Sequence, residues 1–174
     1  MSTERLKNIE LRIRRQRGRL LKADWLKSLN KACGFEFSEK LFLTLEHTEE
    51  LKIAFFKKVK NENAQSSNHW SKSEIAKILS GLFGLSKTLM STEVILFSSI
   101  DQFVGGIRVP AGLILRNLLP VWQLVNEDFA MTTEDVEHGI CLEENPYTET
   151  GEYVNYGQYQ ITSWGFFNSI SKYI

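Results

Sequence analysis

Only two cysteines, three prolines and three histidines occur in the 174 residues. Each scarcity excludes a class of protein. Cys33 and Cys141 stand far apart, without the further Cys or His that a tetrahedral zinc site needs, and are expected to be reduced structural thiols. His47, His69 and His138 are each alone in sequence. With so little proline, and no low-complexity tract or repeat, the chain is neither a solenoid nor a disordered linker. The longest apolar stretch, Ala111 to Val125, is interrupted by Arg116, Asn117 and Pro120 and falls short of the roughly 18 apolar residues that span a bilayer. The N-terminus carries no apolar segment before a small-residue cleavage site, so a cytoplasmic location is expected and no membrane partner. Glycines are present, but Gly105, Gly106, Gly112 and Gly165 fit neither the dinucleotide nor the P-loop spacing.

What remains is ordinary globular material: 43% hydrophobic and 24% charged residues, with eleven Phe, five Tyr and four Trp for a core. One domain over residues 1–174 is expected, helical over 1–90 and sheet-rich over 91–174. The net charge is zero, yet its distribution is uneven. Residues 1–87 hold eighteen Lys and Arg against ten Asp and Glu, and residues 88–174 hold three against eleven. The halves therefore carry +8 and −8.

Apolar residues Leu6, Ile9, Ile13, Leu20, Leu21, Trp25 and Leu29 recur at helical steps, interleaved with Arg12, Arg14, Arg15, Arg17 and Arg19. They predict a helix from Thr3 to about Asn30, open to interruption at Gly18. Ser38 is placed to cap a second helical stretch through Leu41, Phe42 and Leu45, and Thr48 a third, with Glu49 and Glu50 in its first turn and Lys57, Lys58 and Lys60 in its last. Asn61 to His69 is polar and aperiodic, which predicts a surface loop. Ser71 and Glu74 have capping-box spacing before a helix expected to stop at Gly84.

Beyond Ser91 the pattern shifts to strands. Val94 to Phe97 and Phe103 to Val109 are predicted to be strands joined near Asp101, and Pro110 to be the first residue of a helix that breaks or kinks around Pro120. Further strands are expected at Phe129 to Thr133, Gly139 to Glu144 and Glu152 to Trp164, the last with a turn near Gly157 and with Tyr159, Ile161 and Ser163 alternating against Gln160, Thr162 and Trp164 in the two-residue period of a sheet with distinct faces. The fold class is thus α+β, a helical N-terminal half packed on a mostly antiparallel C-terminal sheet.

No nucleophile signature, metal-ligand set or phosphate loop appears, so neither enzyme activity nor a cofactor nor a small-molecule substrate is expected. His138 with Cys141 is the one pair left to consider, and alternation on a strand would send the two to opposite faces. The basic stretch Arg12, Arg14, Arg15, Arg17 and Arg19 could track a phosphate backbone. It could equally be a solvated face paired with this chain's own acids, and the neutral total weighs against direct nucleic-acid binding. The acidic tract is more telling. No Lys or Arg lies between Arg116 and Lys172, while nine carboxylates do. Such a field attracts a basic surface and speeds association with it. Candidate contacts are Asp128, Glu134, Asp135, Glu137, Glu143 and Glu144, with Tyr147, Tyr153 and Tyr156 as aromatic anchors.

The segments Val94-Ile95-Leu96-Phe97, Phe103-Val104-Gly105-Gly106-Ile107, Val109-Pro110, Gly139-Ile140-Cys141-Leu142-Glu143 and Tyr159-Gln160-Ile161-Thr162-Ser163-Trp164-Gly165 resemble the immunity proteins of bacterial contact-dependent growth inhibition and related polymorphic toxin systems. That resemblance implies a small non-catalytic protein that binds and neutralises a cognate toxin domain, often a nuclease. An acidic surface would then stand in for the phosphates of the toxin's substrate. The alternative is a nucleic-acid-binding regulator acting through the arginine helix.

Overall fold

A computed structural model describes residues 3–60, 65–82, 87, 89–125, 128–144 and 158–172. Helix α1 runs unbroken over Thr3–Cys33. Gly18 does not interrupt it; the residue sits where the helix crosses another backbone, and a Cβ there would lie 1.9 Å from the carbonyl oxygen of Phe103. Propensity favours a break at this glycine, whereas close approach explains its presence. The stretch after Ser38 is a single 3-10 turn, Glu39–Leu41, rather than a helix reaching Leu45. Leu45 opens α2, Leu45–Val59, and its cap is Thr44, whose hydroxyl accepts the His47 N–H.

Thr48 is therefore not a cap. Being buried inside α2, it donates to the Thr44 carbonyl at 2.8 Å and accepts the Gly106 N–H at 2.9 Å. Consequently Glu49 and Glu50 are not first-turn acids; Glu46 is, while Lys57 and Lys58 do occupy the last turn. Replacing Thr48 by Val keeps the shape but strands the Gly106 amide, and a loss of about 1–3 kcal/mol in denaturant unfolding is expected. An unchanged midpoint would show that this bond contributes nothing.

The expected loop is in part a strand. β1, Gln65–Ser71, pairs antiparallel with the last strand of the chain, with a register irregularity between Ser67 and Trp70. Its polar sequence gives no two-residue signal, so pairing with a distant partner overrides local preference. Residues 61–64 lie outside the described residues. The capping box of Ser71 and Glu74 is present and starts α3, Lys72–Gly81. Gly84, the expected stop, lies outside the described residues.

β2, Glu93–Phe97, forms as expected. The predicted strand from Phe103 does not. Asp101–Val104 is a one-turn helix, α4, and β3 is only Ile107–Pro110. Gly105, at φ +86°, makes the turn between them and packs so closely on Leu43 that a Cβ would meet its carbonyl oxygen at 2.3 Å. Pro110 ends β3 and immediately precedes α5, Ala111–Arg116, instead of being its first residue. Helix α6, Leu118–Leu124, follows after a break at Asn117, which leaves Pro120 in a first turn where no amide is required of it. Strands β4, Phe129–Thr132, β5, Gly139–Glu144, and β6, Gln158–Trp164, complete the sheet, and a 3-10 segment spans Gly165–Lys172. Residues 152–157 of the predicted last strand lie outside the described residues.

The six strands are ordered β1-β6-β5-β4-β2-β3, and every pairing is antiparallel. The class is α+β. Alternation along the strands builds two cores. Val94, Leu96, Ile107, Val109, Phe129, Met131, Ile140, Leu142, Tyr159 and Ile161 face Trp25, Leu26 and Leu29 of α1 together with residues of α3, α5 and α6. Ile95, Phe97, Cys141 and Trp164 face the other way, onto Leu51 and Phe55 of α2. The two-residue period expected for β6 holds: Ile161 and Trp164 lie in opposite cores. Among the described residues no helix is long and apolar enough to cross a membrane.

Candidate functional site

The acidic residues expected to form one surface divide into two groups. Glu134, Asp135 and Glu137 belong to the β4–β5 turn, and their charge is already engaged. Glu134 accepts from Arg108 at 2.7 Å and lies 3.1 Å from Nε2 of His47, and these two partners hold its carboxyl below the usual range. Asp135 accepts from the Thr133 hydroxyl and the Glu137 N–H, which lowers its value too. Glu137 accepts from Lys58 at 3.0 Å. The three are turn-forming and α2-anchoring residues. No sequence spacing announces this, because His47, Lys58 and Arg108 are 26 to 87 positions from the acids they meet.

Asp128, Glu143 and Glu144 behave differently. They border a cleft of about 360 Å³ where α2, α4 and the adjoining ends of β4 and β5 meet. Lys52, Phe56, Phe97, Ser98, Asp101 and Phe129 also line it. Asp101, which sequence reasoning placed only as a link between strands, is the innermost acid: its side chain is 3% exposed and both of its carboxylate oxygens accept from the Lys52 ammonium at 3.0 Å. Burial nevertheless pushes its value up, with Lys52 and backbone donors opposing that shift. Glu143, half-buried, is also raised, first by burial and then by the negative charge of Asp128. Glu143 and Asp128 make no hydrogen bond or ion pair among the described residues. Four carboxylates thus share the cleft with one ammonium, and two of them are disfavoured as anions.

Adjacent Glu143 and Glu144 were expected on opposite faces. Both border the cleft because it lies at the end of β5, where a strand no longer divides two packed layers. Tyr147, Tyr153 and Tyr156 lie outside the described residues. Lys52 and Asp101 went unrecognised in the sequence. They lie 49 residues apart with no shared motif, and only the seating of α4 against α2 joins them.

No protein-family model matches the chain, and no curated protein or solved structure matches it. The site must be argued from its own chemistry.

The arginine helix and the His138 pair fare differently. Arg14 donates to Glu49 and to the Gln102 carbonyl, and Arg15 to Glu46. The partner acids thus come from α2, not from the acidic half. Arg12, Arg17 and Arg19 are exposed on α1. Glutamates set among the arginines interrupt a track for phosphates, since each repels the backbone that its neighbours attract. His138 accepts the Phe166 N–H on Nδ1 at 3.2 Å and stacks on the Phe166 ring, with centroids 4.1 Å apart. Cys141 is buried in the α2-side core, its thiol pushed up by burial. Among the described residues no three His, Cys, Asp or Glu are grouped to hold a metal.

Proposed function

We propose that the protein is an immunity-type inhibitor that captures one basic toxin domain, of nuclease chemistry, at the cleft of Asp101, Asp128, Glu143 and Glu144. One observation carries the reading: Asp128 and Glu143 line one partly buried cleft and repel each other, while the one cation that lines it among the described residues, Lys52, is paired with Asp101. A protein gains nothing in stability from such an arrangement, and an arriving Arg or Lys relieves it. The aromatic walls Phe56, Phe97 and Phe129 suit the apolar stem of a long basic side chain. The sequence resemblance supplies the biological setting, and the charge on the cleft supplies the physical means.

The test uses the C-terminal domain of the protein encoded by the neighbouring gene, where this reading requires a toxin domain. Cells producing that domain should survive when they also make this protein, and the purified pair should associate rapidly with strong salt dependence. The double variant Asp128→Lys with Glu143→Lys should slow association at least tenfold and flatten its salt dependence. Acidification should weaken the complex early. Because the Glu143 carboxyl is raised, it loses charge as pH falls from neutral, before an ordinary carboxylate does, while the free protein becomes more stable over the same interval since the ionised form is the penalised one. Absence of both protection and binding would overturn the assignment. Binding that ignores the double variant would move the interface elsewhere.

A further inference from the structure

A second opening, about 850 Å³ in volume, is walled by α1 and α2 and by Asp101, Gln102 and Phe103 of α4. Leu6, Ile9 and Ile13 of α1 and Ile53 of α2 line it, and they remain 50, 43, 48 and 72% exposed. Phe56, also exposed, borders the acidic cleft. Five of the nine exposed large hydrophobic residues among those described therefore border these two openings. Single exposed apolar residues are ordinary, whereas a contiguous set lining a groove marks a contact surface. The two openings are neighbours: Lys52 and Asp101, bonded to each other, line both.

The charges in this groove differ from those in the acidic cleft. Its lining holds Arg14, Arg17 and Lys52 against Glu10, Glu49 and Asp101, a balanced set. Arg14 is engaged with Glu49 and Lys52 with Asp101, and these pairs tie the walls together. Glu10 and Arg17 make no hydrogen bond or ion pair among the described residues. They stand two turns apart on one side of α1, roughly 10 Å along its axis, with Ile13 between them. We infer that the groove receives an amphipathic helix of the same partner whose basic side chain enters the acidic cleft, an inference that rests on the proposed capture of that partner. Such a helix presents a Lys or Arg to Glu10 and, two turns away, an Asp or Glu to Arg17, with branched apolar side chains between. A uniformly basic segment is disfavoured, because Arg17 repels it. An extended segment is disfavoured too. The long walls are helices whose backbone bonds are already made, so an extended chain would enter with its amides unpaired, while a helix brings its own satisfied. Size points the same way. The acidic cleft, at about 360 Å³, has room for a side chain or two, and a specific interface buries roughly 800 Å² on each partner. Contact beyond the cleft is therefore required, and the adjoining groove is apolar surface within reach of the same partner.

The two surfaces act at different steps. Long-range attraction by the acidic cleft sets the association rate, and desolvated apolar contact in the groove sets how slowly the complex separates. Both rates are measured with the full chain and the C-terminal domain of the protein encoded by the neighbouring gene. Ile13→Ser with Ile53→Ser should speed dissociation by about 30-fold or more and leave association and its salt dependence within about twofold of wild type. Glu10→Lys with Arg17→Glu should speed dissociation about tenfold. Unfolding midpoints should match wild type, because all four side chains are exposed. Should the serines lower the midpoint, the charge reversal, which removes no apolar surface, decides the matter. Wild-type dissociation rates in both variants, with association still slowed by Asp128→Lys and Glu143→Lys, would overturn the groove and leave the cleft standing. Absence of any complex with the wild-type chain overturns both.

Discussion

Lys52→Met is expected to lower the unfolding free energy at neutral pH by about 2–3 kcal/mol, below the range for a fully buried pair because Lys52 is a third exposed. The side chain of Asp101, 3% exposed, would lose the one side-chain partner it has among the described residues. The penalty falls on the ionised carboxylate. Asp101 already has a raised value, and removing the ammonium raises it further. Stability of the variant should therefore climb as pH falls from neutral through that value, and the gap to wild type should narrow in acid. Adding Asp101→Asn should recover most of the loss at neutral pH. Denaturant titrations at two pH values measure all of this, and a Lys52→Met variant as stable as wild type would remove the pair as the link between α2 and α4.

Gly18→Ala should be the second large effect, with a sign opposite to helix propensity. Alanine in a helix interior is worth up to about 1 kcal/mol over glycine. Here the new methyl would stand 1.9 Å from the Phe103 carbonyl oxygen, which is backbone and cannot rotate away. Either α1 shifts outward along its length or α4 moves, and a net loss of about 2–3 kcal/mol is expected, typical of overpacking. Hydrogen exchange should rise in both α1 and Asp101–Val104, because the two elements share the contact. Lys27→Ala, on an exposed position of the same helix, should be close to neutral. A stabilised Gly18→Ala would show that α1 does not cross Phe103 in close backbone contact.

The two predictions meet at α4, which also explains the errors in the sequence reading. Phe103 and Val104 are good strand formers, and followed by two glycines they resemble a strand entering a turn. They form a helical turn because Lys52 fixes Asp101 at its start and the α1 crossing covers Phe103. Thr48 failed as a cap for a related reason. Ser, Thr and Asn look alike as caps in sequence, and what set Thr44 apart was that the Thr48 hydroxyl is needed by Gly106, 58 residues on.

The acidic tract teaches the same lesson about function. A count of carboxylates could locate negative charge in the second half of the chain, but not which carboxylates remain to attract a partner. Glu134 and Glu137 are consumed by cations from β3 and α2, whereas Asp128 and Glu143 are left facing each other. The proposed capture of a basic partner therefore rests on the second pair.

Local and periodic features were decided by sequence: the long first helix, the Ser71–Glu74 capping box, the bounds of β5 and the alternating faces of β6. Each depends on neighbours within a turn or two of chain, where propensity and side-chain spacing act directly. Tertiary structure alone decided that a polar segment becomes edge strand β1, that Gly18 is a crossing point and that Lys52 with Asp101 floors an acidic cleft. Those outcomes come from groups brought together across dozens of residues, and burial and charge pairing at such contacts outweigh what any short stretch of chain prefers by itself.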